Sequence, residues 1–143
     1  MAADAGRATR WFTRVMWVGI AANLGLALPT LFAPQRMLAF SRLPQAEPLL
    51  WVRFAALLLI LLSAFYVPAA LNPHRYRPVA WLAVGARLAG VIFFVFLQPA
   101  EYRTLGYFDL VFFIPEFALL VALTRRGGPA RVLEPATAEW RAR

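Results

Sequence analysis

Long apolar runs separated by short polar stretches dominate this chain. Four of them reach the length of about 20 residues that a helix needs to cross the hydrocarbon core of a bilayer. The first is free of charge from Val15 to Phe32, and the second runs from Pro48 to Leu71, broken only by Arg53. The third runs from Pro78 to Leu97 with Arg87 inside, and the fourth from Thr104 to Thr124 with Asp109 and Glu116 inside. Backbone amides within lipid must be satisfied inside their own segment, so each run predicts a helix. The pattern therefore predicts an all-α, integral membrane four-helix bundle with spans at 15–32, 48–71, 78–97 and 104–124. A cytoplasmic N-terminal segment, 1–14, and a basic cytoplasmic tail, 125–143, flank it.

The polar breaks refine this picture. Pro29 and Pro68 lie near span ends and are expected to bend the exits, whereas Pro115 lies mid-span and is expected to kink the fourth helix, freeing the carbonyl of Val111. The first span reads as retained. Its apolar run is long for a signal peptide, and Leu31-Phe32-Ala33 lacks the small residue that cleavage needs. The first loop, Ala33–Glu47, mixes bulky apolar residues with Arg36 and Arg42, which fits either a short helix in the interface or an irregular loop. Gly127-Gly128-Pro129 predicts a flexible tail whose arginines can touch anionic lipid.

Composition agrees with the pattern: 62% of the 143 residues are hydrophobic and 15% charged. Soluble domains average about 45–50% and about 25%. All 15 basic residues are arginine, and they set the orientation. Arg7, Arg10, Arg14, Arg75, Arg77, Arg125, Arg126, Arg131, Arg141 and Arg143 fall on one side, against Arg36, Arg42 and Arg103 on the other. The positive-inside rule then places both termini and the second loop in the cytoplasm of a bacterial inner membrane. Trp11, Tyr76 and Trp81 fall at the inner interface, and Trp51, Tyr102 and Tyr107 at the outer. The net charge of +8 is absorbed by this rule, so nucleic acid is not an expected partner. Membrane lipid is, and beside it a membrane-protein partner or a second copy.

Four ionisable residues inside the spans carry the candidate chemistry: Arg53, Arg87, Asp109 and Glu116. An unpaired charge at mid-bilayer costs about 2.5–3.5 kcal/mol on insertion scales, so partners are expected. Counted at about 1.5 Å per residue, Arg53 and Asp109 lie roughly 7–8 Å below the outer face, and Arg87 and Glu116 roughly 15–18 Å, near the midplane. This predicts two layers, each with one arginine and one carboxylate, and an Arg87–Glu116 pair. Asp109 and Glu116, seven apart, share a helix face. Ala83, Ala86 and Gly90 beside Arg87, and Gly19, Asn23 and Ala27 on the first span, are small-residue stripes that permit close helix approach. Asn23 is placed to complete the deeper layer by hydrogen bonding. Two readings stay open: a polar site for a headgroup, a quinone or a proton relay, and ion pairs that only fix helix register.

Other candidates are weaker. The chain has no cysteine, which excludes disulfides, thiolate metal sites and dithiol redox chemistry. His74, in Asn72-Pro73-His74-Arg75-Tyr76-Arg77, reads as an ordinary interface residue. Phe93, Phe94, Phe96, Phe112, Phe113 and Phe117 read as packing or lipid-facing aromatics before they read as a pocket. No nucleophile–histidine pair, metal cluster or phosphate loop is present in the sequence, so no catalytic residue, metal or cofactor is predicted.

The motif Pro48-x-x-Trp51-x-Arg53, the pair Tyr66 and Pro68, Pro73-x-Arg75-Tyr76-Arg77, Arg87-x-x-Gly90 and Asp109 resembles the DoxX-like group of small four-helix bacterial membrane proteins. The resemblance covers roughly Trp17 to Leu123. It implies a link to quinone-dependent redox complexes and carries over no catalytic residue. Three functions follow as expectations. The first is a non-catalytic subunit packed against a larger complex. The second is a binder of, or enzyme on, a lipophilic ligand such as a lipid, quinone or carotenoid, with quinone or lipid as the possible bound group. The third is a small oligomeric transporter.

Overall fold

The computed structural model describes residues 2–126. It is an all-α bundle of five helices: α1 (Ala2–Phe32), α2 (Pro34–Phe40), α3 (Leu49–Leu71), α4 (Arg77–Ile92) and α5 (Arg103–Arg126). A single π turn, Phe93–Leu97, continues α4, and a short 3-10 turn, Ala100–Tyr102, leads into α5. Four helical stretches are long and apolar enough to cross a bilayer: Gly6–Phe32, Leu49–Leu71, Arg77–Leu97 and Ala100–Arg125. α1 packs against α3 and α5, and α4 packs against the same two, so the long helices form a ring in up-down order.

The elements start and stop for local reasons. Pro34 opens α2 where its missing N–H costs nothing. α2 closes in a Schellman motif: the Arg42 N–H donates to the Ala39 carbonyl and the Leu43 N–H to that of Leu38. Arg42 takes the left-handed conformation this closure demands, at φ 54°. Between α3 and α4 the chain reverses within residues 72–76, where the Asn72 side-chain oxygen accepts from the Arg75 N–H at 3.1 Å. Thr30, Ser63 and Thr124 satisfy their hydroxyls on carbonyls one turn back, so they cost little inside apolar helices.

The helix ends refine the expected boundaries. Residues 2–14, expected as a segment ahead of the first span, are helical and run into it as the start of α1, with Ala8 and Phe12 in the core. The first loop resolves in favour of a helix, α2, with Pro34 and Leu38 buried. The basic tail begins inside α5, which includes Arg125 and Arg126; its remainder, with Gly127-Gly128-Pro129, lies outside the described residues. Pro29, Pro68 and Pro115 all sit within continuous helices.

The core is uneven along the bundle. Ala8, Phe12, Met16 and Ile20 of α1 meet Tyr66, Ala69 and Ala70 of α3, Ala80, Ala83 and Val84 of α4, and Leu120 and Leu123 of α5. All belong to the half that holds the N-terminal end of α1 and the 72–76 reversal. The alanines let backbones approach closely, as in membrane helix interfaces. The opposite half, under α2, is hollow.

Candidate functional site

Arg87 sits at the centre of the bundle, 2% exposed, and touches every long helix. Its Nε donates to Glu116 Oε2 at 2.9 Å and its Nη1 to Asp109 Oδ1 at 3.3 Å. Both carboxylates belong to α5, two turns apart on one face, so one guanidinium from α4 bridges them. Its head lies over aromatic rings, 4.7 Å from the centroid of Phe112 on α5 and 5.8 Å from that of Tyr66 on α3. Such contacts add stabilisation where water is excluded. Its third nitrogen, Nη2, lies against Gly19 of α1, so close that a Cβ there would collide with it. Gly90 serves Asp109 in the same way: a Cβ at 90 would run into Oδ2. These two glycines clear the space for the cluster.

The cluster is a triad of one cation and two anions, and it is satisfied unevenly. Glu116 is fully buried, whereas the side chain of Asp109 retains 23% exposure. Arg87 Nη2 and Glu116 Oε1 are buried with no hydrogen-bond partner among the described residues. Both face Gly19. The less enclosed member, Asp109, faces the hollow half.

That half holds a cavity of about 480 Å³, bounded by α1, α2, α3, the π turn and α5. This lies within the roughly 300–1,000 Å³ of small-ligand sites. Its walls are mostly apolar, with Leu26, Leu38, Leu59, Phe94, Leu105 and Phe108 prominent. Asn23 and Asp109 are the polar groups deepest along the helices, while Ser41 and Tyr102 belong to the α2 end. Asn23 is 2% exposed and has no hydrogen-bond partner among the described residues. Its amide atoms are not among the sealed, partnerless ones, so they open on the cavity.

The sequence put Asp109 and Glu116 on one helix face and foresaw the Arg87–Glu116 pair, which the structure shows. The two-layer arrangement is corrected. Asp109 pairs with Arg87 and not with Arg53, which is exposed and lies with Arg36 and Gln35 in a separate groove beside Phe32 and Leu49. Arg53 stands near the start of α3, where its head can reach water. The expected balance of two against two is therefore one against two. Asn23 does not bond to the triad but opens on the cavity. Of the phenylalanines singled out, Phe94 lines the cavity, Phe112 covers Arg87, and Phe113 packs on the core, stacked on Phe117 at 5.5 Å. Phe93, Phe96 and Phe117 face outward. His74 shares a 3.0 Å hydrogen bond with Thr9, tying the α3–α4 reversal to α1.

Tyr66 and Phe108 were missed as site residues. Tyr66 was legible as the lone phenol within the Leu-rich third helix, but Phe108 differs from its neighbours only by its rotation about α5. The molecule is thus a four-helix membrane-type bundle with a charged triad at the base of an apolar cavity. Comparison with protein-family models, with curated proteins and with solved structures finds no match.

Proposed function

We propose that this protein binds a lipophilic ligand within a bacterial inner membrane, with both termini cytoplasmic and the cavity in the outer half. The observation that supports this most strongly is the apolar cavity of about 480 Å³ with Asn23 and Asp109 at its deep end. An apolar space fits a hydrocarbon or prenyl chain, and two convergent polar groups give the chain an orientation. The resemblance to DoxX-like proteins leans toward the same ligands, quinones among them. The ten-to-three arginine distribution supports the orientation.

A role as accessory subunit ranks second. It has in its favour the outward row of Leu50, Phe54, Leu57, Leu58, Leu61 and Phe65 on α3, all exposed in the single chain. Lipid covers such a row equally well. Transport through one copy finds less support, because Phe12, Met16, Ile20 and Leu120 lie across the far half.

The test is recovery of the protein in native nanodiscs, followed by mass spectrometry of extracted lipids. A stoichiometric ligand is expected, and it should be lost in Ala56→Phe, which fills the cavity from α3. Equal lipid content in wild type and Ala56→Phe would end the binding reading. A stoichiometric protein partner recovered in its place would favour the subunit reading.

A further inference from the structure

We infer that the ligand of this cavity carries a hydrogen-bond-donating, non-anionic head, a hydroxyl or an ammonium, received by Asp109 and Asn23; this rests on the binding reading above. An arginine beneath an apolar cavity ordinarily points to a carboxylate or phosphate, which a guanidinium grips in bidentate fashion. The geometry here reverses that expectation. Arg87 has Nε committed to Glu116 and Nη1 to Asp109. Its Nη2 is closed off against Gly19, and the head packs over the rings of Phe112 and Tyr66. Arg87 is not among the residues lining the cavity, and Asp109 is. An incoming head therefore meets the carboxylate and not the guanidinium.

Charge strengthens the argument. Two carboxylates share one guanidinium, so the ionised triad holds an excess of negative charge in a medium where charge interactions are stronger than in water. An anionic head would be repelled by that excess. A proton donor would answer it, and so would a cation.

Asn23 supplies the second contact. It lines the same cavity, is almost wholly buried and has no partner among the described residues. Its amide both donates and accepts. A hydroxyl can donate to Asp109 while accepting from Asn23, and an ammonium can donate to both. A quinol fits this rule. An oxidised quinone, with acceptors only, can use Asn23 but leaves Asp109 without a donor.

The full chain in nanodiscs can be photolabelled with three amphiphiles that share one diazirine-bearing dodecyl tail and end in an alcohol, an amine or a carboxylate. Labelling of Ala27, Ala56 and Leu59, on the cavity wall, is compared with labelling of the outward Leu58 and Leu62. In wild type the alcohol and the amine should label the wall about tenfold more than the carboxylate, the scale of a modest charge discrimination. Asp109→Asn keeps the shape and leaves Arg87 and Glu116 one to one, so it should bring the three probes close together. Asn23→Leu should weaken alcohol labelling without restoring the carboxylate, which gives a second readout should Asp109→Asn fold poorly. An amine that equals or exceeds the alcohol, with both above the carboxylate, satisfies the rule. Wall labelling by the carboxylate equal to that by the alcohol overturns the head assignment and leaves cavity binding intact. Absence of wall labelling by all three overturns both.

Discussion

Gly19 shows how a single missing side chain can govern a buried charge. Replacing a helical glycine with alanine normally stabilises by about 0.5–1 kcal/mol. At position 19 the added methyl would collide with Arg87 Nη2 and crowd Glu116 Oε1, both held in place by the packing around them. Gly19→Ala should therefore destabilise by about 1–3 kcal/mol, the usual cost of overpacking. Gly25→Ala, with nothing within 4 Å of the new methyl, should be neutral or slightly stabilising. Thermal unfolding in one detergent compares the two, and equal effects would refute the close packing on Arg87. Arg87→Met should cost about 3–5 kcal/mol because it strands two carboxylates. Adding Asp109→Leu and Glu116→Leu should recover part of that loss, a coupling that separate sites do not show. Arg53→Ala, with no ion pair among the described residues, should stay within about 0.5 kcal/mol of wild type. Much of this was legible in the sequence: buried charges must pair, and a spacing of seven puts Asp109 and Glu116 on one face. Counting depth along helices could not reveal that Arg53 faces away, because depth says nothing about rotation.

At the scale of elements, α2 illustrates local chemistry serving the cavity. Its closing motif brings Leu43 back toward Leu38, and both line the cavity. The residue that makes the reversal, Arg42, is an L-residue held at positive φ, where glycine is favoured by about 1 kcal/mol or more. Arg42→Gly should raise the melting temperature modestly, by the equivalent of about 0.5–1 kcal/mol. A clear fall would show that the arginine side chain contributes more at the membrane surface than its backbone costs. The four long helices were legible from hydropathy, and their ends fell within two residues except at the start of α1 and at the end of α4, where the π turn takes over at Phe93. The first helix runs further because polar Arg7, Thr9 and Arg10 alternate with Ala8 and Phe12 at helical spacing, a pattern an apolar-run search passes over. The π turn at Phe93–Leu97 left no such trace. Opposite it, Gly106 admits Val95 and Phe94 against the α5 backbone.

The whole molecule turns on a contrast between its ends. Arg7, Arg10, Arg14, Arg75, Arg77 and Arg125 gather at the packed end, and Glu47 and Glu101 belong to the other. In the proposed orientation, single cysteines at 45 and 102 should react with an impermeant maleimide in intact cells, and one at 74 should not. Periplasmic labelling at 74 would reverse the orientation. The order of the spans and the sidedness of the arginines could be read from the chain alone. The cavity could not, because it arises from what five separated segments leave unfilled, and no one segment records an omission.

That unevenness has a consequence in time. Backbone amides exchange with solvent only as the segments holding them open, and openings range from nearly free to as costly as global unfolding. The alanine-packed end, with Ala69, Ala70, Ala80 and Ala83 almost without exposure, leaves no room for a partial opening. Around the cavity, α1 near Ala27 and α3 near Ala56 border unfilled space. In deuterated nanodiscs, amides near Ala69 and Ala83 should hold their protons for the longest times, and those near Ala27 and Ala56 should exchange earlier. A ligand seated between α1 and α3 should slow the second group and leave the first as it was, so the exchange clock reports occupancy without a label. Equal rates in both groups would mean that the hollow end is held as firmly as the filled one.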